Sequence, residues 1–418
     1  MSAIHGIEHI GESPILEAQG LARATLTIEW EDDLAHHRDE LHVERLSVWR
    51  ESDLLPPDIG ERLPGMRAGE VAHAHVAAGG LTGERSESRV VTVKRTAFDH
   101  PSIRSLGVRP RIGRFYPQGF FRGLPEVFGE TVLPARVLDL DAQHITVDLN
   151  HPLAPYPVDV SLHVDEVLPG SDRRGGRCID PLHDLMRHPG MASPLPNGAP
   201  TDYGDSGDGM ARLDERNDGL FYTGPRMVQH LDTRALETIA RLYAELLPAG
   251  AAVLDLMGSF DSHLDEARPA ALTVLGLNAE ELAANPMAGH WMAQDLNAEP
   301  LIDLPSDSVD GVVCTASIEY LVDPVAVLRE ARRILRPGGR LVVAFSNRWF
   351  PTKAIRIWSE LHEFERLGLV TQWLQRAGFG ELNTLSSRGW PRPANDPHAH
   401  ETPLSDPVYA VWGTKCGA

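Results

Sequence analysis

The sequence of 418 residues predicts a two-part α/β protein, in which a doubly wound parallel sheet follows a mostly β domain. Three observations support this prediction. Short runs that alternate apolar and polar residues fill the first half, with turn-forming residues between them. Near-continuous apolar runs alternate with helical patterns in the second half, as in parallel sheets that are covered on both faces. A chain of this length also exceeds one ordinary hydrophobic core.

The first half is predicted to be an antiparallel sheet or barrel of short strands, because Gly and Pro bound each alternating run. These runs are residues 24–30, 88–94, 135–140, 145–149 and 158–167. Residues 169–219 are rich in Gly, Pro, Asp and Ser and are interpreted as a connection that becomes ordered if it docks on its neighbours. The predicted organisation is therefore a segment at 1–40, a β-rich domain at 41–168, a linker at 169–219 and the parallel-sheet domain at 220–418.

The second half alternates strand and helix patterns in chain order. The predicted elements are a helix at 233–247, strands at 251–256 and 272–276, a helix at 279–284, a strand at 309–315, a helix at 324–335 and a strand at 340–345. Such alternation is typical of a sheet whose crossover connections are helical.

Composition and charge restrict the partners. The formal net charge of −20 disfavours nucleic acid, and the densest basic stretch, residues 172–177, is interpreted as a solvated linker. The chain has three cysteines (Cys178, Cys314 and Cys416) that lie far apart, as expected of a reducing compartment. The first residues lack a secretory signal, and no apolar run is long enough to span a bilayer. We therefore expect a cytoplasmic protein with a small-molecule partner and neither a nucleic-acid nor a membrane partner.

Polar residues follow the ends of the predicted parallel strands, where ligands bind in open α/β sheets. Asp255 ends the first strand, and a loop begins after it. Asn278 ends the second strand roughly twenty residues later, which suits one β-α-β unit, and its amide suits a ribose diol. In the next turn, Asp295 is placed to accept a hydrogen bond from an exocyclic amine, and Leu296 to pack on a purine.

Five motifs occur in an order and spacing that resemble class I methyltransferases. They are Val-Leu-Asp-Leu at 253–256, Gly-Leu-Asn at 276–278, Asp-Leu at 295–296, Ser-Val-Asp-Gly-Val-Val at 308–313 and Leu-Arg-Pro-Gly-Gly-Arg-Leu at 335–341. The resemblance covers residues 220–418 and implies a Rossmann-like fold with S-adenosyl-L-methionine as the cofactor. It also implies these cofactor-binding residues: Asp255, Leu256, Met257, Gly258, Ser259, Asn278, Ala279, Asp295, Leu296 and Thr315.

Two positions depart from the usual pattern of that family. Residues 257–262 replace its Gly-rich loop, and Asn278 replaces its acidic ribose ligand. Both departures resemble a methyltransferase subgroup whose loop reads approximately Asp-Leu-Met-Ser-Ser-Trp-x-Ser-His-Leu, and residues 276–282 and 345–348 also match that subgroup. The match implies a divergent, functional cofactor pocket. The missing glycines should restrict how closely the backbone approaches the methionine end of the cofactor.

Further candidate residues lie outside the strand ends. Tyr222, Arg226 and His230 precede the helix at 233–247, where this fold often closes a lid over the cofactor carboxylate. His263 and Tyr320 are predicted to face the sulfonium or the acceptor. Tyr222, His263 and Tyr320 are therefore the candidate catalytic residues, with a structural role as the alternative for His263.

Two more pairs of residues are candidate ligand sites. Asn347 and Arg348 follow the last parallel strand and are candidates for binding the acceptor, with a loop-stabilising role as the alternative. His398 and His400 have no further ligands nearby in sequence, which favours a solvated loop over a metal site. No metal is therefore predicted.

Residues 145–164 resemble the end of FKBP-type prolyl isomerases of the bacterial chaperone-like kind, most specifically in the Asn-His-Pro-Leu-Ala run at 150–154. Residues 55–70 fit the approach to a core strand of that family, and the motifs at 113–121 and 127–129 resemble its inserted chaperone flap. The resemblance covers residues 41–168. Leu149 replaces the family's glycine, so a docking or lid role for the methyltransferase is favoured over prolyl isomerisation.

The predicted reaction is in-line transfer of a methyl group to an acceptor nucleophile, supported by positioning and exclusion of water. No residue stands out in the sequence as a general base, and a thiolate needs little base assistance at neutral pH. We therefore predict a small acceptor, a thiol or hydrogen sulfide. Two alternatives stay open: a folding helper of the FKBP type, whose second half methylates polypeptide or senses the cofactor, and a non-catalytic cofactor-binding protein.

Overall fold

The strands of the computed structural model, which describes residues 14–170 and 180–417, form one sheet of eleven strands and one of four. In chain order the strands are β1 (Leu21–Glu31), β2 (Ala35–Ser47), β3 (Val71–Val76), β4 (Val90–Lys94), β5 (Phe115–Pro117), β6 (Pro134–Leu140), β7 (His144–Asp148), β8 (Val158–Leu168), β9 (Ala252–Leu256), β10 (Ala271–Gly276), β11 (His290–Ala293), β12 (Val309–Thr315), β13 (Leu335–Phe345), β14 (Gly380–Arg388) and β15 (Val408–Thr414). The order in the large sheet is β11-β10-β9-β12-β13-β15-β14-β2-β1-β8-β3.

The helices are short except for three that cover the second half of the large sheet. In chain order they are α1 (Val48–Glu51), α2 (Pro57–Gly60), α3 (Pro101–Leu106), α4 (Pro181–Met186), α5 (Asp218–Phe221), α6 (Thr233–Leu246), α7 (Ala279–Ala284), α8 (Pro324–Ile334), α9 (Arg356–Glu360) and α10 (Glu363–Ala377). Local sequence explains the starts of α6 and α8, because Asp232 and Asp323 accept hydrogen bonds from the first-turn nitrogens of Ala235 and Ala326.

The predicted parallel sheet is confirmed. Strands β11, β10, β9, β12 and β13 are parallel neighbours, and β15 and β14 continue the sheet in antiparallel pairings. Strand order reverses between β9 and β12, because β10 and β11 lie on one side of β9 and β13 lies beyond β12 on the other. Apolar residues on both faces of these strands are buried, which explains why their sequences lack alternation.

The prediction of a β-α-β unit between the first two parallel strands is wrong, because the connection between them contains no helix. Residues 257–270, all of which the structure describes, connect β9 to β10 without one. Met257, His263 and Arg268 adopt positive φ values of 61°, 55° and 47°. Left-handed residues interrupt a right-handed helix and are strained without glycine, so this connection is an irregular loop.

The strand-rich character of the first half is confirmed, although its boundary differs from the prediction. Strands β2, β1, β8 and β3 are antiparallel neighbours, and β2 pairs in parallel with β14, so both halves share one sheet. The predicted boundary at residue 41 therefore falls within β2. Strands β4, β7, β6 and β5 form the separate antiparallel sheet, which is inserted between β3 and β8 along the chain.

Buried polar residues explain why the sequence pattern did not predict β2. Its inward positions carry His37 and Asp39, which are both 2% exposed, in place of the apolar residues that mark a strand. His37 Nδ1 lies 2.7 Å from Thr384 Oγ1, and Asp39 accepts hydrogen bonds from Trp30 Nε1 and Ser386 Oγ. These partners replace water for the buried groups, because a buried polar group without a partner is costly.

The described part of the predicted linker is docked on the rest of the molecule. Leu182 and Leu185 pack in the core of the first half, and Met191 and Tyr203 pack in the core that contains α10. Cys178 and the basic stretch at 172–177 lie outside the described residues. Within the described ranges, no helix is both long and apolar enough to cross a bilayer.

Candidate active site

A cavity of about 1250 Å³, counted with the open space at its mouth, lies beyond the carboxyl ends of β9, β10, β11 and β12. It is therefore at the point where strand order reverses, as expected for a doubly wound sheet. Its lining combines apolar and polar side chains, as in pockets that bind small molecules.

The loop after β9 passes very close to the strand ends. A Cβ atom on Gly258 would lie 2.2 Å from Asp255 Oδ2, and one on Gly276 would lie 2.2 Å from the carbonyl oxygen of Gly258. Gly258 N also donates a hydrogen bond of 2.8 Å to the carbonyl of Leu275. Only glycine fits these two positions, so the divergent loop keeps a close backbone approach despite having lost other glycines.

Asp255 lies at the base of the cavity and is 2% exposed. Burial raises the pKa of its carboxyl group to about 7, although Ser262 Oγ donates a hydrogen bond of 2.6 Å to Oδ2 and opposes that shift. Asn285 Nδ2 in turn donates to Ser262 Oγ at 2.9 Å. The carboxyl group therefore keeps its proton to a higher pH than an exposed carboxyl group does, and it also anchors the irregular loop.

Asn278 borders the cavity at the end of β10, with its side chain occupied by the protein itself. Its Oδ1 accepts hydrogen bonds from the backbone nitrogens of Glu280 and Glu281 and so caps α7. Its Nδ2 donates to the carbonyls of Tyr222 and Thr223 at 2.8 and 3.3 Å. The predicted ribose ligand thus acts structurally here as a clamp between β10, α7 and the preceding segment.

Glu281 was not among the predicted residues, although it borders the cavity and is 8% exposed. Its Oε1 accepts a hydrogen bond of 2.7 Å from Arg226 N, and its Oε2 accepts one of 2.6 Å from Ser259 Oγ. The signal available in the sequence was its place in the Gly-Leu-Asn-x-x-Glu-Leu segment. Helical spacing puts this residue one turn beyond Asn278, on the side of α7 that faces the cavity.

The predicted lid residues Tyr222, Arg226 and His230 line the cavity together. The Arg226 guanidinium lies 4.4 Å from the ring centre of Phe221, 5.4 Å from that of Tyr222 and 5.1 Å from that of Phe350. Burial is the main cause of the lowered pKa of His230, and the charge of Arg226 adds to it. This end of the cavity therefore combines a cation with aromatic surface, which suits planar or anionic ligand groups.

A buried charge network closes one side of the cavity and was missed in the sequence. Asp218 accepts hydrogen bonds from Arg212 Nη1 at 2.9 and 2.7 Å, and Lys353 Nζ lies 2.9 Å from Asp218 Oδ1. The three side chains are 6%, 5% and 1% exposed in the order Arg212, Asp218 and Lys353. Arg212 and Asp218 belong to the predicted linker, whose loop-like composition concealed a contribution to the site.

His263 and Asp261 form a pair at the cavity wall. His263 Nδ1 lies 3.3 Å from Asp261 Oδ2, and Gln229 Nε2 donates to the same carboxylate oxygen at 2.6 Å. The hydrogen-bonded histidine holds the pKa of Asp261 well below its usual range. A carboxylate that orients one ring nitrogen leaves the other for proton transfer, which is the arrangement of a general base.

The remaining strand-end predictions also border the cavity: Met257, Ser259, Asp295, Leu296, Thr315 and Tyr320. Tyr320 Oη accepts a hydrogen bond of 3.0 Å from Phe350 N, and burial raises the pKa of that hydroxyl far above its usual value. Asp295 Oδ1 accepts hydrogen bonds from the nitrogens of Asn297 and Ala298. These contacts orient the side chains of Tyr320 and Asp295.

Four predicted residues lie outside the cavity lining. Leu256 is fully buried in the core, because alternation along β9 turns it away from the face of Asp255. Ala279 is exposed on the first turn of α7. Arg348 lies 3.6 Å from Asp406, and Asn347 is exposed beside it. Phe350 and Lys353, slightly further along the same connection, line the cavity in their place.

The side chains of His398 and His400 both lie near the carboxylate of Glu401. His398 Nδ1 lies 3.1 Å from Glu401 Oε2, and His400 is well exposed. Within residues 14–170 and 180–417, no group of three or more His, Cys, Asp or Glu side chains is arranged to hold a metal ion.

Comparison with known proteins identifies part of this region. The family described as "Methyltransferase domain" matches residues 258–343, which span the loop after β9 through most of β13. The ubiquinone biosynthesis O-methyltransferase of Xanthomonas axonopodis pv. citri is 31% identical over 134 residues, which cover 30% of this chain and 54% of the relative. The enzyme of the same name from Xanthomonas oryzae pv. oryzae is 32% identical over 113 residues, which cover 25% of this chain and 47% of that relative. The chain thus spans about half the length of these relatives.

Solved structures with similar parts include two methyltransferases. A putative methyltransferase complex with the Trm112 activator of Haloferax volcanii shares 18% identity with a TM-score of 0.33, covering 44% of this chain and 91% of that one. An S-adenosylmethionine-dependent methyltransferase of Thermotoga maritima shares 16% identity with a TM-score of 0.33, covering 44% and 90%.

The residues present fit the cofactor of such enzymes. Leu277 and Leu296 offer apolar surface to a purine, and Asp295 offers an acceptor to its amine. Arg226 Nη1 is buried without a hydrogen-bond partner among the described residues, as a group awaiting an anionic ligand would be. We conclude that this chain carries a methyltransferase domain of the S-adenosylmethionine-dependent class, with S-adenosyl-L-methionine as its cofactor.

Proposed function

We propose that the whole chain is an S-adenosylmethionine-dependent methyltransferase that acts on a small acceptor bound in the cavity. The observation that supports this proposal best is the position of the cavity within the matched domain, at the switch point of the parallel sheet. The bound cofactor would supply an electrophilic methyl group, and the chain would supply orientation, exclusion of water and removal of a proton where the acceptor carries one.

The aromatic end of the cavity is the part that would orient an acceptor. Phe350 stacks near Tyr320 with ring centres 6.0 Å apart, and His230 meets Phe350 edge to face at 5.1 Å. The network of Arg212, Asp218 and Lys353 would hold the preceding segment over this end and limit the entry of water. A small planar acceptor would therefore bind with little loss of side-chain freedom in the protein.

Two acceptor classes follow from different observations. The pair of His263 and Asp261 favours a hydroxyl acceptor, because a hydroxyl needs a base at neutral pH, and the two relatives named above are O-methyltransferases. A thiol or hydrogen sulfide, as the sequence suggested, needs no such base. We propose a hydroxyl as the first acceptor class to test and a thiol as the second.

The test incubates the full chain with methyl-labelled S-adenosylmethionine and panels of phenols, thiols, sulfide, amines and unfolded polypeptide. His263→Gln should slow methyl transfer to a hydroxyl about 100-fold and leave transfer to a thiol nearly unchanged. His290→Gln, at an exposed histidine outside the cavity, is the matched control. Calorimetry with S-adenosylhomocysteine in parallel measures binding. Absence of both binding and transfer would contradict the proposal.

For the first half of the chain we propose a supporting role, because its sheet is hydrogen-bonded to β14 through β2. Prolyl isomerisation, the activity suggested by the FKBP resemblance, is the alternative. An isomerase assay on a proline-containing peptide separates the two. If isomerase activity is present and persists when the cavity residue Asp218 is changed to Asn, it would favour an isomerase that is independent of the cavity.

A further inference from the structure

The hydrogen-bonding capacity of Asn278 is used up by the protein. A carboxamide has two donor hydrogens and two acceptor lone pairs. In this structure the lone pairs accept from Glu280 N and Glu281 N, and the hydrogens donate to the carbonyls of Tyr222 and Thr223. Asn278 is also 9% exposed. A ribose hydroxyl that bound here would have to displace a helix cap or the clamp on residues 222–223.

Glu281, by contrast, has acceptor capacity left. A carboxylate offers about four lone-pair sites, and each oxygen of Glu281 accepts one described hydrogen bond. The two donors, Arg226 N and Ser259 Oγ, belong to the segment before α6 and to the loop after β9. Glu281 is thereby fixed between the two chain segments that enclose the cavity, next to the end of β10.

Other carboxyl groups around the cavity have different partners. Asp218 is bound by Arg212 and Lys353, and Asp261 is bound by His263 and Gln229. Asp255 lies deeper, at 2% exposure, and accepts from Ser262. Asp295 lies at the end of β11, one strand further from the loop after β9.

We propose that Glu281, and not Asn278, accepts hydrogen bonds from the ribose hydroxyls of the cofactor, while Asn278 clamps residues 222–223 to the end of β10. This inference rests on the proposed function, which requires the cofactor to bind in the cavity. A diol has two donor hydrogens, and a carboxylate is the acceptor that binds them most strongly. Since Glu281 also holds Arg226 N, ribose binding and closure of the preceding segment share one side chain.

The first experiment measures binding of two probes to the full chain by calorimetry. S-adenosylhomocysteine carries the ribose and the amino-acid group, whereas 5′-methylthioadenosine carries the ribose alone. Glu281→Gln keeps an oxygen for Arg226 N and should weaken both probes about tenfold or more. Glu280→Gln, the same change at the exposed neighbouring residue, should weaken neither. Thermal unfolding of each variant verifies that it is folded.

The ribose itself is tested with the 2′-deoxy analogue of 5′-methylthioadenosine. The wild-type chain should bind the analogue about tenfold more weakly than its parent. The Glu281→Gln variant should bind the two with similar affinity, because it already lacks the contact that the analogue removes. Equal binding of parent and analogue by the wild-type chain would overturn the inference without any variant. Loss of S-adenosylhomocysteine binding alone in Glu281→Gln would do so too, since it would place the carboxylate on the ammonium group.

The clamp is tested with Asn278→Asp. Aspartate cannot donate to the carbonyls of Tyr222 and Thr223, so binding of both probes should weaken and hydrogen exchange across residues 220–230 should accelerate. Unchanged or tighter binding by this variant would show that an acid at 278 serves the ribose, and would overturn the inference. If the wild-type chain bound neither probe, the proposed function would fail as well. Wild-type binding that Glu281→Gln leaves intact overturns the present inference alone.

Discussion

A buried acidic residue outside the cavity, Glu319, should make the stability of this protein depend on pH. Glu319 is 1% exposed, its Oε2 has no hydrogen-bond partner among the described residues, and burial raises the pKa of its carboxyl group to about 7. The charge of Arg366 opposes this shift. Glu319 lies beside Tyr320 and outside the cavity lining, so it reports on folding without direct contact with a ligand.

Glu319→Gln should therefore change how stability depends on pH. Between about pH 4.5 and pH 7 the folded wild-type chain keeps a proton that the unfolded chain has released, so its free energy of unfolding falls as pH rises. Glutamine removes this contribution, and the fall between pH 5 and pH 7.5 should shrink by about 1–3 kcal/mol. Urea denaturation at several pH values measures it. Parallel curves for both proteins would contradict the prediction, and Glu280→Gln serves as the control.

Gly258 gives a second prediction for a single residue. The Cβ of Gly258→Ala would meet Asp255 Oδ2 at 2.2 Å, so the loop after β9 must move and overpacking should cost about 1–3 kcal/mol. We expect affinity for S-adenosylhomocysteine to fall about tenfold or more in calorimetry. Gly289→Ala places its Cβ at an ordinary 3.6 Å from Leu272 O and should change little. Equal affinities for the two variants would argue that the position of the loop after β9 does not control ligand binding.

The segment before α6 owes its position to charge pairing with the connection after β13. Arg212 and Lys353 both pair with Asp218, and Asn297 Nδ2 donates to the same carboxylate at 2.9 Å. Arg212 also forms a β-bridge with Ile355. Removing one member of a buried network leaves uncompensated charge, which costs far more than breaking an exposed pair.

Asp218→Asn should thus destabilise the chain by about 3–5 kcal/mol and loosen the segment. Asp202→Asn, which removes an exposed pair with Arg111 at 3.2 Å, should cost less than about 1 kcal/mol. Urea denaturation compares the two, and hydrogen exchange at residues 212–221 locates the change. A similar loss of stability for both variants would mean that burial does not set the strength of the Asp218 network.

A shared sheet and a buried ion pair are among the contacts that join the two halves of the molecule. Strand β2 covers the edge of β14, and Arg114 Nε donates to Glu365 Oε1 at 2.8 Å with both side chains 2% exposed. Glu365 also accepts a hydrogen bond from Phe115 N. A sheet edge that is not covered tends to pair with other chains and aggregate, so the second half depends on β2 of the first half to cover the edge of β14.

A fragment of residues 220–418 should therefore aggregate or lose its affinity for S-adenosylhomocysteine. It lacks β2 beside β14, the partners of Glu365, and both Arg212 and Asp218 at the cavity. Sedimentation and calorimetry against the full chain measure the two effects. A monomeric fragment with the affinity of the full chain would show that the second half is self-sufficient.

Local pattern predicted much of this protein. It placed five strands of the first half within a few residues, and it also placed β9, β10, β12, α6, α7 and α8, because buried parallel strands and capped helices carry short-range signals. It did not predict β11, whose end also borders the cavity. Asp255, Asn278, Asp295 and Thr315 line the cavity because strand ends meet at one edge of a parallel sheet. Strand β2 was not predicted, because its inward-facing His37 and Asp39 are polar. Their hydrogen-bond partners lie far away in the chain, where a local pattern does not show them.

The sequence by itself determined the parallel sheet and the edge at which the cavity lies, because these depend on residue order within single elements. Only the tertiary structure decided that Arg212 and Asp218 of the apparent linker belong to the site and that Asn278 is committed to a clamp. It also decided that β2 extends the sheet of the second half. Such features depend on which distant partner satisfies each polar group, and that follows from packing of the whole chain.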